Sequence, residues 1–311
     1  MVNSLNKEFT VKITRAIPEN ETGTYTYTFR CGNIPYNNPS DSISGDWYRG
    51  EVNIQEAGGV FKDTCNVAIY GLSLESLNAI CFTWWDSIRK VDTRNKVEII
   101  VDDTVIFQGD TYFINADFSN APDVCLRITG VVGYAISSIM LPNKDYTGWY
   151  ISNAFEDLGK QVGMKVLISQ SITGICPRLV LSGSLENRIK TIGKALNLDV
   201  NLTCGYIIVK KHDEAMPMFK GASGTTATPT TVINKDTGMI GYPSFNNFGV
   251  NFSTIFDPYI KTSQVVRIES IVPKVTGEYI IISKQSLLSS LPNGQWRSNY
   301  VATSLKVKGE N

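Results

Sequence analysis

The sequence predicts a mainly β protein with a small α+β domain in its middle. Short runs of alternating apolar residues fill the first part of the chain, two helix-then-strand units follow, and further strand runs close it. With 311 residues, 42% hydrophobic and 19% charged, the chain is long enough for two or three domains with separate cores. We expect domains at 1–140, 141–212 and 237–311, with a linker or long loop over 213–236. The β domains need not be continuous in sequence.

The N-terminal part is predicted to be β-structured. Apolar and polar residues alternate in FTVKI (9–13) and TYTYTFR (24–30), as in a half-buried strand. CNVAIYG (65–71) predicts another strand. Ser73 then stands where it would cap a short helix with apolar residues along one face of 74–80.

More β structure is predicted over residues 96–119. Asp102 and Asp103 fall at a hairpin turn, and Gly109 marks a bulge or bend. The turn NAPD (120–123) leads into another strand, VCLRITG (124–130). Many short strands with turns between them are typical of a barrel or a sandwich.

Two helix-then-strand units are predicted over 149–211. LGKQVGMKV and IGKALNLDV align as helix end, cap and strand, with Gly159 over Gly193. Gly163 and Asn197 stand where a left-handed C-cap residue is needed. GYIIVKK adds a further strand, so the middle of the chain is predicted to be a small α+β domain.

The chain returns to β structure after a connector. Residues 213–236 are rich in Gly, Ser, Thr and Pro, the composition of a linker or surface loop. FGVNFSTIF, QVVRIESIV, EYIIIS and YVATSLKV are predicted strands, and Asn293–Gly294 is a strong hairpin signal.

The charge balance and the hydropathy of the chain indicate that neither nucleic acid nor a membrane is its partner. Lys plus Arg and Asp plus Glu number 29 each, so no global charge favours nucleic acid or an anionic membrane. The N-terminal residues lack the apolar region of a secretory signal, and ITGVVGYAISSIML is too short to span a bilayer. We expect a soluble, non-exported chain without a transmembrane segment or specific nucleic-acid recognition. The six scattered cysteines form no CxxC pair and are predicted to be buried free thiols.

The residues give little support for catalysis. His212 is the only histidine, and the chain has no GxSxG, HExxH or phosphate-loop motif. Adjacent carboxylates occur at Asp102–Asp103, Glu156–Asp157 and Asp213–Glu214. Solvent-exposed turns, helix faces and the linker account for these pairs, whereas a glycosidase needs two carboxylates on either side of one glycosidic bond. We expect no catalytic residue, no metal and no cofactor.

The densest aromatic cluster is Trp84 and Trp85 in FTWWDS. Large rings dominate protein cores and interfaces, so we predict packing in the core or at a subunit interface. The alternative is a sugar-stacking surface, which would need both rings exposed on one face.

A resemblance emerges in the C-terminal third. The run NKDTGMIGYPSFNNFGVNFSTIFDPYIKTSQVVRIES resembles the entry to the tube-forming C-terminal domain of bacteriophage baseplate hub proteins, the trimeric hubs of contractile tails. The matching positions are Thr237, Gly238, Ile240, Gly241, Pro243, Gly249, Ile255, Phe256, Pro258 and Val265 to Ser270. NGQWRS is similar to the closing hairpin of that family, with Trp296 after the turn, and IFQGDTYFINADFSNAPDVCLRITG matches its N-terminal pattern less specifically.

The resemblance implies a non-enzymatic structural protein of the virion, assembled in the host cytoplasm. With two tube-like β-barrel domains in each chain, a homotrimer would contain six barrels. It would join a sixfold tail tube, or a tube-initiator protein, to a threefold central spike, and it would also bind other baseplate proteins. The residues expected to shape its interfaces are Gly238, Gly241, Pro243, Gly249, Phe256, Pro258, Trp296, Trp84 and Trp85. The alternatives are a tail-associated peptidoglycan hydrolase, a carbohydrate- or receptor-binding tail module, and a distal tail protein of a non-contractile phage.

Overall fold

The structure, a computed structural model, describes residues 7–16, 24–32, 47–57, 62–81, 95–137, 140–203, 206–211, 231–247, 249–272, 274–291 and 293–304. These residues divide into two compact units, and each unit draws on separate parts of the sequence. Unit 1 takes its described residues from Met1–Gln55, Thr64–Ala135 and Ser286–Arg297. Unit 2 takes them from Glu56–Asp63, Ile136–Gln285 and Ser298–Asn311.

The strands of unit 1 pair in a closed circuit. They are β1 (Phe9–Ala16), β2 (Thr24–Cys31), β3 (Trp47–Ala57, in unit 1 as far as Gln55), β4 (Thr64–Tyr70), β5 (Lys96–Val101), β6 (Thr104–Asp117) and β7 (Cys125–Val131). The pairing order is β3-β2-β1-β5-β6-β7-β4, and β4 pairs back with β3. A closed circuit of this kind is what a β-barrel requires.

Alternation along these strands builds the core of unit 1. In β5, Val97, Ile99 and Val101 are buried while the residues between them are partly exposed. Asp102 and Asp103 both have left-handed backbone angles, φ 47° and 59°, and connect β5 to β6 in a tight hairpin, as predicted.

Gly109 does not mark a bulge, one of its two predicted roles, and the alternative of a bend stays a prediction. It pairs regularly with Val97, and the register shift between β5 and β6 lies at Ile99 and Ile100. A Cβ atom at Gly109 would lie 2.9 Å from the Phe107 ring and 3.1 Å from the Val131 backbone, so close packing explains the glycine. Helix α1 (Leu74–Ile80) begins as predicted, because the Ser73 side chain accepts a hydrogen bond from the backbone of its first turn.

Unit 2 contains the predicted α+β part. After the short helix α2 (Tyr134–Ser137) come β8 (Lys144–Asp145), α3 (Ile151–Val162), β9 (Lys165–Ile168), β10 (Val180–Leu181), α4 (Leu185–Leu196), β11 (Leu198–Thr203) and β12 (Tyr206–Lys211). Strand β12 lies between β11 and β9, antiparallel to the first and parallel to the second. Gly163 and Asn197 end the two helices in left-handed conformations, as predicted.

The two aligned helix glycines have a packing role. A Cβ atom at Gly159 would lie 2.4 Å from a Val166 methyl group, and one at Gly193 would lie 3.1 Å from the Leu198 carbonyl oxygen. Each glycine therefore lets the chain after the cap fold back against its helix. This contact gives the predicted repeat a physical reason.

The C-terminal β part of unit 2 has its own core. Its strands are β13 (Thr231–Ile233), β14 (Met239–Asn246), β15 (Gly249–Ile255), β16 (Val265–Ile268), β17 (Gly277–Ser289) and β18 (Trp296–Ser304), in the order β14-β15-β18-β17-β16-β13. β13 lies within the predicted connector, most of which is outside the described residues. Phe252 and Tyr300 stack in the core with ring centroids 4.8 Å apart. The tips of β17 and β18 belong to unit 1, where the Asn293–Gly294 turn is closed by a Gly294 to Leu291 hydrogen bond.

The prediction of a mainly β chain with a small α+β part is confirmed. The described cysteines are free thiols, and Cys31, Cys65, Cys125 and Cys176 are buried. Burial raises the pKa of Cys31 to about 12, so this thiol is unreactive. No helix in the described part of the chain has the length and apolar character to cross a membrane.

Candidate assembly surface

The segment that carries the family resemblance forms an edge strand. β14 stands at the end of the sheet order and, among the described strands, pairs only with β15. A tight turn leads into it, in which the Asn234 carbonyl accepts from the Met239 amide at 3.0 Å and the Thr237 hydroxyl accepts from the Asn234 amide at 2.8 Å. The edge of a sheet presents backbone groups that a neighbouring molecule can use.

A bulge interrupts β14 at its centre. Ile240 pairs with Ser253 and Ser244 pairs with Asn251, so residues 241–243 lie opposite the single residue Phe252. Gly241 is left-handed, with φ 71°, which a side chain would strain. Pro243 is buried within the bulge and has no N–H to offer.

Three large apolar side chains of this strand are exposed. Ile240, Tyr242 and Phe245 have 42%, 70% and 59% of their surface accessible to solvent. The sequence of β14, MIGYPSFN, contains no charged residue. The register places Ile240 on the same face of the sheet as Ser253, and Phe245 on the opposite face with the buried Val250.

Two further predicted interface glycines have local structural roles. Gly238 has φ 100° and accepts a hydrogen bond from the Ile255 amide at 2.9 Å. Gly249 has φ 151°, and a Cβ atom there would lie 2.2 Å from the Ala302 carbonyl oxygen, so only glycine fits beside this strand.

Three of the remaining predicted interface residues lie in the described part of the chain, and two of these are buried. Phe256 is buried, with the Lys284 ammonium group 5.7 Å from its ring centre, and Pro258 is half-buried. Trp296 is buried against Phe9, with ring centroids 6.3 Å apart. Trp84 and Trp85 lie outside the described residues, as does His212. The assignment of the predicted interface residues, which do not include His212, to an interface stays a prediction.

A buried ion pair supports the loop that follows β15. Lys284 is 3% exposed, its ammonium group lies 3.3 Å from a Glu56 carboxylate oxygen, and it donates to the Ile260 carbonyl at 2.8 Å. Burial lowers the pKa of Lys284, although the Glu56 carboxylate opposes this shift. The burial of Lys284 does have a signal in the sequence that was missed. Lys284 stands at the same alternate positions of β17 as Ser286 and Leu288, whose side chains are also buried.

The α+β part exposes a second apolar group that sequence analysis also missed. Tyr150 and Ile175 face each other across an isolated antiparallel bridge, and both side chains are exposed. Met140 and Val180, from the same two chain segments, are exposed as well. Cross-strand neighbours so far apart in sequence give no local periodic signal.

Asp157, one of the adjacent carboxylates in the sequence, holds a structural position. Asp157 accepts hydrogen bonds from Lys144, from the Tyr146 hydroxyl at 2.7 Å and from Gln161. Burial raises the pKa of Asp157, but these hydrogen bonds outweigh it, and the pKa is below its usual value. No group of three or more His, Cys, Asp or Glu side chains in the described ranges is arranged to hold a metal ion.

Solved structures with this fold are tail proteins and related assemblies. The 43 kDa tail protein of prophage MuSo2 from Shewanella oneidensis superposes with a TM-score of 0.59 at 9% identity, covering 96% of this chain and 97% of that one. A tail protein from Neisseria meningitidis MC58 gives 0.57 at 9% identity, covering 83% and 96%. The E. coli c3393 protein, a type VI secretion component described as structurally similar to the T4 tail proteins gp27 and gp5, gives 0.55 at 7% identity, covering 82% and 73%.

These likenesses define the fold as that of phage tail proteins. The family model for the baseplate hub protein gp41 matches residues 49–291, and the chain belongs to that family. Comparison with curated sequences gave no match. The resemblance seen in the sequence is confirmed, and the protein is a structural component of the phage tail baseplate.

Proposed function

We propose that the chain assembles into a homotrimeric hub that joins a sixfold tail tube to a threefold central spike. The observation that carries this proposal is the presence of two sets of β-strands in one chain, the closed circuit of unit 1 and the six-stranded set that ends at β14. Three copies supply six such parts, which matches a sixfold tube while keeping threefold symmetry.

The proposed partners are those that the resemblance to baseplate hub proteins implies. One end of the ring meets the tail tube or its initiator protein, the other meets the spike, and further baseplate proteins bind the outside. The hub acts without catalysis, belongs to the contractile-tail class and assembles in the host cytoplasm before it enters the virion tail. The division into domains at 1–140, 141–212 and 237–311, with the connector between them, belongs to the same proposal.

The stoichiometry of the purified protein tests the proposal. Sedimentation velocity or native mass spectrometry is expected to give three times the monomer mass, and the oligomer is expected to bind the purified spike protein. A strict monomer at high concentration that does not bind the spike would contradict it. A turbidity assay on peptidoglycan is expected to show no lysis, whereas clear lysis would favour the hydrolase alternative.

A further inference from the structure

A short segment between β3 and β4 belongs to unit 2, although the strand residues before and after it belong to unit 1. We call residues 56–63 the clamp segment, and its described residues are Glu56, Ala57, Lys62 and Asp63. The Ala57 amide donates a hydrogen bond to the Asp63 carboxylate at 3.1 Å, and Asp63 is buried. This bond holds the two ends of the clamp segment together.

The first end of the clamp segment is bound to the C-terminal β part. One oxygen of the Glu56 carboxylate lies 3.3 Å from the Lys284 ammonium group of β17, and the other accepts a hydrogen bond from the Thr262 hydroxyl at 3.4 Å. Separating the buried charges of Glu56 and Lys284 would leave each of them uncompensated. This end is therefore held firmly.

The second end of the clamp segment is bound to the α+β part. The Lys62 ammonium group lies 3.0 Å from a carboxylate oxygen of Glu186, in the first turn of α4, and it donates to the Ser137 hydroxyl at 2.6 Å. The Lys62 side chain is only 20% exposed and Ser137 is buried, so water has little access to these contacts. Lys62 thus binds two segments of unit 2 that are distant in sequence.

The two parts of unit 2 that the clamp segment contacts have separate sheets. Among the described strands, none of the α+β part pairs with a strand of the C-terminal β part. The chain that connects these two parts, residues 212–230, lies outside the described residues and has the composition of a linker. Side chains of the clamp segment, by contrast, contact both parts directly.

We infer that the clamp segment fixes the α+β part to the C-terminal β part, with Glu56 and Lys62 as its two points of attachment. It makes the two parts open and unfold as one cooperative body, whereas without it each part opens alone. The clamp acts within one chain, so it does not depend on the proposed trimer.

Replacing Lys62 with methionine tests the inference, because it removes one attachment and leaves the pair of Glu56 with Lys284 in place. Lys190→Met is the matched control. Lys190 pairs with the other oxygen of the same Glu186 carboxylate, at 2.7 Å, but lies in α4 itself. Lys62→Arg keeps the positive charge on the clamp segment. Hydrogen exchange with mass spectrometry over a urea series measures the protection of α4 and of β17 separately in each variant.

The wild type, Lys62→Arg and Lys190→Met are expected to lose protection in α4 and β17 at the same urea concentration. In Lys62→Met, α4 is expected to open about tenfold more often than β17, since the lost ion pair is intermediate between an exposed and a buried one.

Two kinds of result would overturn the clamp. Coincident loss of protection in Lys62→Met would show that other contacts hold the two parts together, and separate transitions in the wild type would show that the parts are not coupled. An equally large separation in Lys190→Met would also count against it, because the effect would then come from the Glu186 carboxylate and α4 alone.

Discussion

Replacing Lys284 with methionine tests the buried ion pair beneath the C-terminal sheet. Methionine keeps most of the side-chain volume but removes the charge that faces Glu56 and the donor to the Ile260 carbonyl. The Glu56 side chain is only 11% exposed, so its carboxylate would stay buried without its counter-charge. Breaking such a pair costs about 3–5 kcal/mol of unfolding free energy.

A double variant separates the charge effect from the packing effect. Removing Glu56 as well, as Lys284→Met with Glu56→Leu, eliminates both buried charges. Replacement of a buried pair by apolar residues is often close to neutral, so the double variant is expected to recover most of the loss, within about 2 kcal/mol of the wild type. The remaining cost comes from the Ile260 carbonyl that loses its donor.

Urea denaturation, combined with amide hydrogen exchange in β17, measures these changes. The exchange rates show that the loss occurs in the C-terminal β part rather than in unit 1. A cost below about 1 kcal/mol for Lys284→Met would refute the reasoning, because it would mean that the Glu56 carboxylate is well solvated. A double variant as unstable as the sum of its single changes would refute the coupling between the two residues.

Three further predictions concern other parts of the chain. Gly249→Ala is expected to destabilise the C-terminal β part by about 3 kcal/mol or more, measured by urea unfolding, because its methyl group would overlap the Ala302 carbonyl. The pKa of Asp157 is lowered in the folded state, so its contribution to folding stability is present above the unfolded pKa of about 3.9 and is lost as pH falls through the folded pKa. In thermal melts from pH 6 to pH 2, Asp157→Asn is therefore expected to lose less stability at acid pH than the wild type does. Deleting residues 241–242 restores regular pairing along β14 and is expected to produce higher-order assemblies in light scattering.

Each of these predictions has a clear contrary result. Wild-type stability of Gly249→Ala would mean that the neighbouring strand moves aside without cost. An acid limb unchanged in Asp157→Asn would place the titrating groups elsewhere, and Glu186, whose pKa is lowered by its hydrogen bonds to Lys190 and Lys62, would be tested next. A deletion variant that assembles like the wild type would show that the bulge does not control association.

Local signals in the sequence predicted the local structure well. The Ser73 cap, the left-handed ends of α3 and α4 and the Asp102–Asp103 turn depend on residues within one turn of each other, and all were confirmed. Features set by distant partners were not predictable in this way. The return of β4 to β3 and the entry of Ser286–Arg297 into unit 1 are non-local and leave no periodic pattern.

The same distinction applies to the candidate surface. The motif identified the glycines that the backbone requires at 238, 241 and 249, because positive φ values restrict residue type strongly. It did not reveal that Phe256 and Trp296 are buried, since an aromatic side chain suits a core as well as an interface. The exposure of Tyr242 depends on a bulge whose register is fixed by the opposing strand.

Electron cryomicroscopy of the purified oligomer tests the central claim most directly. We expect class averages with threefold symmetry in which three chains place six β-sheet parts around one channel. A twofold dimer, or a particle in which only one β-sheet part of each chain faces the channel, would contradict the claim that this protein adapts a sixfold tube to a threefold spike.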